Sequence, residues 1–382
     1  MHRRQIVFLI FLTVLFLNAC SAKAPRPAAE LDTVPVKINM ATFDSGFGGY
    51  FTAKSMESLA TPILKQYDTE ITITHYGDTQ NAPYGEKTPA QIARLTQRGV
   101  EKAFENQADL VMIACNTAST QHEAVVKGIK KSFPQKAKYV LSIIKPTVAE
   151  VKKFINQELA RDGEAILAVF ATPATIQSRV YPTRLAEAYG AGLTSGQILE
   201  LEQKKWQKPE EMVTNLFLKS KIDLPEDKVI HIYQFAPVNW VSMIEQGAPV
   251  NIKQSVVSEN VRQLLKHVPP RHAIDVFGFF CTHFPVFEDR IEEVVTKNGY
   301  AKDSTRYVAQ GELAARYAYE VYAPNYVHAG RTTRLTPEQL ERLVQKTEPT
   351  FVMSGDNTEQ TRKLIKTVFP NSRNIKVIQE NF

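Results

Sequence analysis

Strand-like apolar runs recur along the chain with helical stretches between most of them, and this alternation limits the fold more than any other feature. The runs are Val36 to Phe43, Ile71 to Tyr76, Leu110 to Ala114, Tyr139 to Ile143, Ala165 to Ala171, Val229 to Gln234, Ala273 to Phe280, Arg306 to Ala309, Phe351 to Met353 and Ile375 to Ile378. Two helical stretches open on clear start signals, Thr88-Pro89-Ala90-Gln91 and Thr336-Pro337-Glu338-Gln339. Each offers a capping hydroxyl, a proline at the first helical position and a Gln three residues on. Such alternation predicts parallel βαβ units and an open α/β sheet covered by helices. Ligands of such sheets sit at the carboxyl ends of the strands, so chemistry is expected just past each strand. At 382 residues the chain is well above the ~150 residues of one typical domain, which makes two domains the natural expectation. Its 43% hydrophobic and 23% charged residues exclude a mostly disordered or collagen-like chain.

The N-terminus reads as a targeting segment. Met1-His2-Arg3-Arg4-Gln5 gives a positive start, and Ile6 to Leu17 is an apolar run with Thr13 as its single polar member. The run falls short of the ~20 residues a bilayer span needs, so a secretory signal over residues 1–19 is expected. It ends in Leu17-Asn18-Ala19-Cys20, which resembles a bacterial lipobox, with Cys20 lipidated and first in the mature chain. Residues 20–36, rich in Ala and Pro, then form a tether from the membrane surface. Ser21, rather than an acidic residue, points to the periplasmic face of an outer membrane. Removing Arg3 and Arg4 lowers the net charge from +6 to +4, and no Lys/Arg run is interleaved with aromatics, so nucleic acid is not an expected partner.

Three cysteines are too few for a disulfide scaffold or a four-thiolate zinc site. Two of them, Cys115 and Cys281, follow strand-like runs and precede small or polar residues, Asn116-Thr117 and Thr282-His283, that open the next helix. Each thiol is therefore expected near a helix N-terminus, where the dipole favours the thiolate. A lone free cysteine is most often an inert small hydrophobe, but two in matching contexts suit a reaction that needs a base on one face of a carbon and an acid on the other. Disulfide redox chemistry normally uses a C-x-x-C pair, which is absent, and two cysteines with one nearby histidine lack zinc-ligand spacing, so no metal is expected. The glycines after the first run are not spaced G-x-G-x-x-G, which disfavours a dinucleotide site.

Five segments in order resemble the cofactor-independent aspartate/glutamate racemase family, most closely its glutamate racemases. They are Phe43 to Gly49 (FDSGFGG), Tyr76 to Lys87 (YGDTQNAPYGEK), Ile113 to Ser119 (IACNTAS), Ala171 to Ser178 (ATPATIQS) and Cys281 to Pro285 (CTHFP), within a likeness running from about Lys37 to the C-terminus. The resemblance implies two similar open α/β lobes with mainly parallel sheets and the active site in the cleft: residues 37–142 with 307–382 as lobe one, 143–306 as lobe two. It implies no cofactor, a small amino-acid substrate, and Cys115 and Cys281 as the two acid/base thiols, Cys115 acting on the D enantiomer and Cys281 on the L. Asp44 and His283 would assist proton transfer, with Glu245 as a further assisting carboxylate. Asp44, Ser45, Pro83, Tyr84, Gly85, Asn116, Thr117 and Thr282 would hold the substrate, and lobe closure would expel water.

The chain departs from the family at Phe280, where a glycine is usual and a bulky ring could reshape the pocket. It also carries one extra residue before Glu245. The stretch Pro182 to Lys228 is longer than the family needs, with an amphipathic helix expected around Gly196 to Trp206; a lid, a homodimer contact and surface decoration are its open roles. A second extension covers Ala323 to Glu348, and Ser354-Gly355-Asp356 resembles the family's C-terminal segment. His75, His122, His231, His267, His272 and His328 have no constellation around them and read as structural or surface. The expectation is thus an exported, lipid-anchored racemase of glutamate, with aspartate or another amino acid as alternative substrate and a silent binding lipoprotein on the same fold as the alternative class.

Overall fold

A computed structural model describes residues 36–66, 69–270, 272–329, 343, 347–372 and 375–382. The signal segment, Cys20 with its tether, the Thr336 capping motif and most of the 323–348 extension lie outside the described residues.

Two sheets carry the fold. In chain order the first sheet is built from β1 (Val36–Asp44), α1 (Gly49–Gln66), β2 (Thr69–Gly77), α2 (Pro89–Glu105), β3 (Leu110–Ile113), α3 (Asn116–Ser119), α4 (His122–Ser132) and β4 (Val140–Ser142). The second begins after α5 (Ile144–Asp162) with β5 (Glu164–Ala171), α6 (Pro173–Ser178), α7 (Val180–Tyr189), β6 (Leu193–Ser195), β7 (Leu199–Lys204), β8 (Met212–Asp223) and β9 (Val229–Ala236). It is completed by α8 (Asn239–Glu245), α9 (Val250–Leu265), β10 (Val276–Phe280), α10 (Glu288–Lys297) and β11 (Arg306–Ala309). The chain then returns through α11 (Gln310–Ala329) to the first sheet as β12 (Thr350–Met353), α12 (Thr358–Val368) and β13 (Val377–Gln379).

The first sheet runs β13-β12-β2-β1-β3-β4 and every pair in it is parallel. The second runs β11-β10-β5-β9-β8-β6, parallel from β11 to β9 and antiparallel beyond, with β7 also on β8. Strands such as β3 and β10 are buried at every position, as a parallel sheet covered on both faces requires. One core cluster runs from β1 and β2 of the first sheet through α1, α5 and α11 to β5, β9 and β10 of the second, so the lobes share a core. The capping box expected at Thr88 is formed: Gln91 donates its N–H to the Thr88 hydroxyl and receives the Thr88 N–H on its side-chain oxygen at 2.9 Å.

Two outcomes differ from the sequence reading. The stretch around Gly196 to Trp206 is not a helix but strand β7, paired antiparallel with β8 from Leu199 opposite Phe217 to Lys204 opposite Met212. Its Leu-Glu-Leu-Glu pattern has the two-residue period of a strand with one face packed, and its helical appearance came from charge content rather than spacing. The second sheet also extends to Ala309, since β11 pairs with β10, which carries it past the expected division at 306/307.

Candidate active site

The carboxyl ends of three strands converge. β1 ends at Asp44, β3 leads into Cys115 and β10 leads into Cys281. The backbone N–H groups of Ala114 and Cys115 both reach the Phe43 carbonyl, which fixes the Cys115 loop against the tip of β1. Cys115 caps α3, its sulfur accepting from the Ala118 N–H at 3.4 Å and lying 3.6 Å from the Ser45 hydroxyl. Ser45 and the Gly46 N–H donate to Asp44 Oδ1, each at 3.2 Å. Across the cleft the Thr282 hydroxyl donates to Asp44 Oδ2 at 3.0 Å. Beside Thr282, the Cys281 sulfur sits 3.8 Å from His283 Nδ1, and His283 Nε2 is 2.9 Å from Glu245 Oε1. Seven residues from both lobes therefore form two runs of contacts, Cys115 to Thr282 and Cys281 to Glu245, joined by the peptide bond between Cys281 and Thr282.

The site is closed. Cys115 and Cys281 are each 6% exposed and both are free thiols. Burial, then the neighbouring Asp44 charge, pushes the Cys115 thiol up to about 12. This corrects the expectation of a dipole-lowered thiol: α3 is a single turn, and desolvation outweighs the Ala118 N–H. Asp44 is likewise raised by burial, against the lowering effects of His283 and the Thr282, Gly46 and Ser45 bonds. His283 goes the other way: burial pulls it down, but its contacts with Cys281 and Glu245 hold it well above the ordinary imidazole range. A cavity of about 630 Å³ borders Gly46, Ala82, Glu245 and Ser354, and one of about 430 Å³ borders Cys281, Thr282 and Gln310.

The remaining expected residues surround these runs but are mostly engaged with protein. The Thr117 hydroxyl is 2.7 Å from that of Thr172, which is 2.8 Å from that of Thr175, so three threonines from two lobes meet. Gly85 adjoins the same group: a Cβ there would lie 3.7 Å from Thr172 and Pro173. Pro83 precedes the 3-10 turn Tyr84–Glu86, and the buried Tyr84 donates to Asp78 at 2.6 Å. Asn116 forms a reciprocal amide pair with Gln310 (2.7 and 3.1 Å) and accepts from Tyr181. Gln310 also donates to Thr147 and Tyr181, at 2.8 and 2.7 Å.

Phe280 does not enter the cleft. Strand alternation places it with Val276 on the face opposite Cys281, where its ring stacks on Tyr181 with centroids 3.9 Å apart. Gly278, two residues earlier on that face, leaves it room. Five residues around the site were missed from sequence: Thr172, Thr175, Tyr181, Gln310 and His75. The first two stood in a quoted segment; the others carried no motif. His75 is fully buried under the glycine turn, with Nε2 2.9 Å from the Gly46 carbonyl and Nδ1 2.8 Å from the Thr42 hydroxyl.

No protein-family model matches the chain. Among curated proteins it is 25% identical over 255 residues to a glutamate racemase of Ruegeria pomeroyi, covering 64% of this chain and 91% of that one. It is 26% identical over 265 residues to one of Sulfurovum, covering 68% and 76%. A glutamate racemase of Caulobacter is 34% identical over a shorter 155 residues, 38% of this chain and 52% of that one. Among solved structures, the glutamate racemase of Francisella tularensis in complex with D-glutamate superimposes with a TM-score of 0.59 at 19% identity, over 90% of this chain and 97% of that one. The Escherichia coli glutamate racemase with L-glutamate and an activator gives 0.54 at 17% identity, over 90% and 98%.

Proposed function

We propose, from a chain whose relatives support an amino-acid racemase of the aspartate/glutamate family, that it interconverts L- and D-glutamate by moving the Cα proton between Cys115 and Cys281. The observation that carries this reading is that two runs of contacts, Cys115–Ser45–Asp44–Thr282 and Cys281–His283–Glu245, meet where Cys281 and Thr282 are adjacent in the chain. In the proposed reaction, one thiolate removes the proton from one face of the carbon while the opposite thiol donates to the other face. Charge develops on the substrate between two buried thiols, and the threonine group of Thr117, Thr172 and Thr175 supplies hydroxyls for a carboxylate.

In the same proposal the protein acts outside the cytoplasm, anchored through a lipid on Cys20 at the periplasmic face of the outer membrane. The motif Leu17-Asn18-Ala19-Cys20 behind an apolar run supports this. Cys20→Ala is then expected to release the protein from the membrane fraction, and retention there would refute the anchor.

The activity test is incubation of the purified protein with each enantiomer of glutamate and aspartate in heavy water, following Cα deuterium and optical rotation. Deuterium should enter and rotation decay with glutamate. Cys115→Ser and Cys281→Ser should each abolish racemisation. Exchange with aspartate alone would transfer the assignment to that substrate. No exchange with any of the four, at a pH where a thiolate forms, would leave a binding protein on a racemase fold.

A further inference from the structure

The helix that carries Glu245, α8, is seven residues long, too short to hold its shape unaided in water. Glu245 is its last residue and its carboxylate is 28% exposed; Trp240, Met243 and Ile244 bury one side of the helix in the core, and contacts from outside fix its polar side. The β7–β8 hairpin grips it at successive turns. Asn239, buried at the start of α8, is held by both ends of its amide: it donates to the Lys204 carbonyl at 2.9 Å and accepts from the Trp206 N–H at 3.4 Å. One turn later the Trp206 indole donates to the Ser242 hydroxyl at 3.0 Å, and Ser242 donates back to the Asn239 carbonyl. From β8, the buried Asn215 accepts the Val238 N–H at 3.0 Å, just before the helix begins. The hairpin turn is itself braced by Lys205 and Lys208 on Glu211.

We propose that the β7–β8 hairpin is a positioning element for the acid–base pair at Cys281: Trp206 and Asn239 act through α8 to set the Glu245 carboxylate against His283. The proposal gives the Pro182 to Lys228 stretch a role in the reaction rather than that of surface decoration. It rests on the racemase reading for the meaning of the Cys281 face, but its geometry can be tested apart from turnover.

The test is titration of the His283 ring by NMR in the full-length protein with labelled histidine, the signal assigned by its loss in His283→Asn. The groups facing that ring are Glu245 from α8, Cys281 from the tip of β10, Asp44 from the tip of β1 and His75 from β2. Trp206→Phe keeps the ring and removes the indole donor; Asn239→Ala removes the amide clamp. Both are expected to move the His283 titration to lower pH, in the direction set by Glu245→Gln. Both should lower kcat roughly 10- to 100-fold, the range expected when a catalytic group is displaced by about 1 Å. Adding Trp206→Phe to Glu245→Gln should bring little further loss, as coupled positions require. A His283 titration unchanged from the parent in both variants, with only the melting temperature lowered, overturns the proposal. If Asn239→Ala does not fold, Trp206→Phe decides alone. If the parent racemises nothing, the functional reading fails while the NMR titration still decides the positioning role.

Discussion

Gly48→Ala is expected to separate the two halves of the site. A Cβ built on Gly48 would lie 2.1 Å from the Thr282 hydroxyl and 2.6 Å from two atoms of the His283 ring. Ordinary van der Waals contact begins near 3.4 Å, so Thr282 must retreat by about 1.3 Å or the turn must lift away. Either movement breaks the 3.0 Å bond from Thr282 to Asp44, leaving a buried carboxyl with one donor fewer. Overpacking costs about 1–3 kcal/mol and a buried acceptor left unpaired about as much, so the loss should be about 2–6 kcal/mol. The functional loss should be larger in kind, because Thr282 and His283 flank Cys281, and a displacement of about 1 Å costs on the order of 100-fold in rate. The assay is heavy-water exchange on glutamate beside urea unfolding, with Gly192→Ala as control, where an added Cβ meets nothing within 4 Å. A Gly48→Ala enzyme with parental exchange rate and stability would refute the close-packed interface between the FDSGFGG turn and the CTHFP turn.

Three shorter predictions rest on other parts of the structure. Burial pulls the His75 ring down to about 4, against the raising effect of its hydrogen bond to the Gly46 carbonyl, so between pH 6.5 and 4 the unfolded chain binds the proton that the folded chain refuses. Stability should therefore fall as pH drops through that window, by roughly 2 kcal/mol at pH 5. Urea midpoints of wild type and His75→Asn at pH 7 and pH 5 check this, with the acid loss smaller in the variant. Lys302 neutralises both Glu158 and Asp275, two carboxylates under 10% exposed, so Lys302→Met should cost about 3 kcal/mol in chemical unfolding; a loss below 1 would show water reaching that pair. Phe280→Ala should destabilise by about 3–4 kcal/mol through the cavity left under Tyr181, as read from thermal melting with ΔH.

The strands that build the site were legible because a covered parallel strand must be apolar at nearly every position. All ten apolar runs became strands, and Cys115 and Cys281 stand at two of their tips. The three strands that escaped, β6, β7 and β8, lie in the antiparallel part of the second sheet; β6 is only three residues long, and charged residues in β7 and β8 mask the two-residue period. Glu245 was legible as an approximate motif match, yet its partner His283 is 38 residues away and only the fold joins them. Tyr181 and Gln310 were illegible for a sharper reason: buried polar side chains satisfied by residues of other elements have no local signature. His75 looked isolated because its partners are a backbone carbonyl and a threonine hydroxyl, groups that any sequence contains.

The two thiols differ in their surroundings, and the difference assigns the resting proton in the proposed reaction. Around Cys115, burial and the Asp44 charge favour the thiol, so ionising it at pH 8 costs about 5 kcal/mol in the closed site. Beside Cys281 stands His283, which its contacts with Cys281 and Glu245 hold above the ordinary imidazole range against burial. In the proposed reaction the Cys115 side, where burial and Asp44 favour the thiol, is therefore the side that starts as proton donor, with Cys281 opposite it as acceptor. By the family resemblance this is the L-to-D direction. Each such turnover leaves the charge on Cys115, which burial and Asp44 oppose. Resetting the pair after D product leaves therefore runs downhill, and starting from the D enantiomer requires the disfavoured form first. The two directions should then share one kcat/KM, as equilibrium between enantiomers demands, while kcat and KM are both larger from the L side.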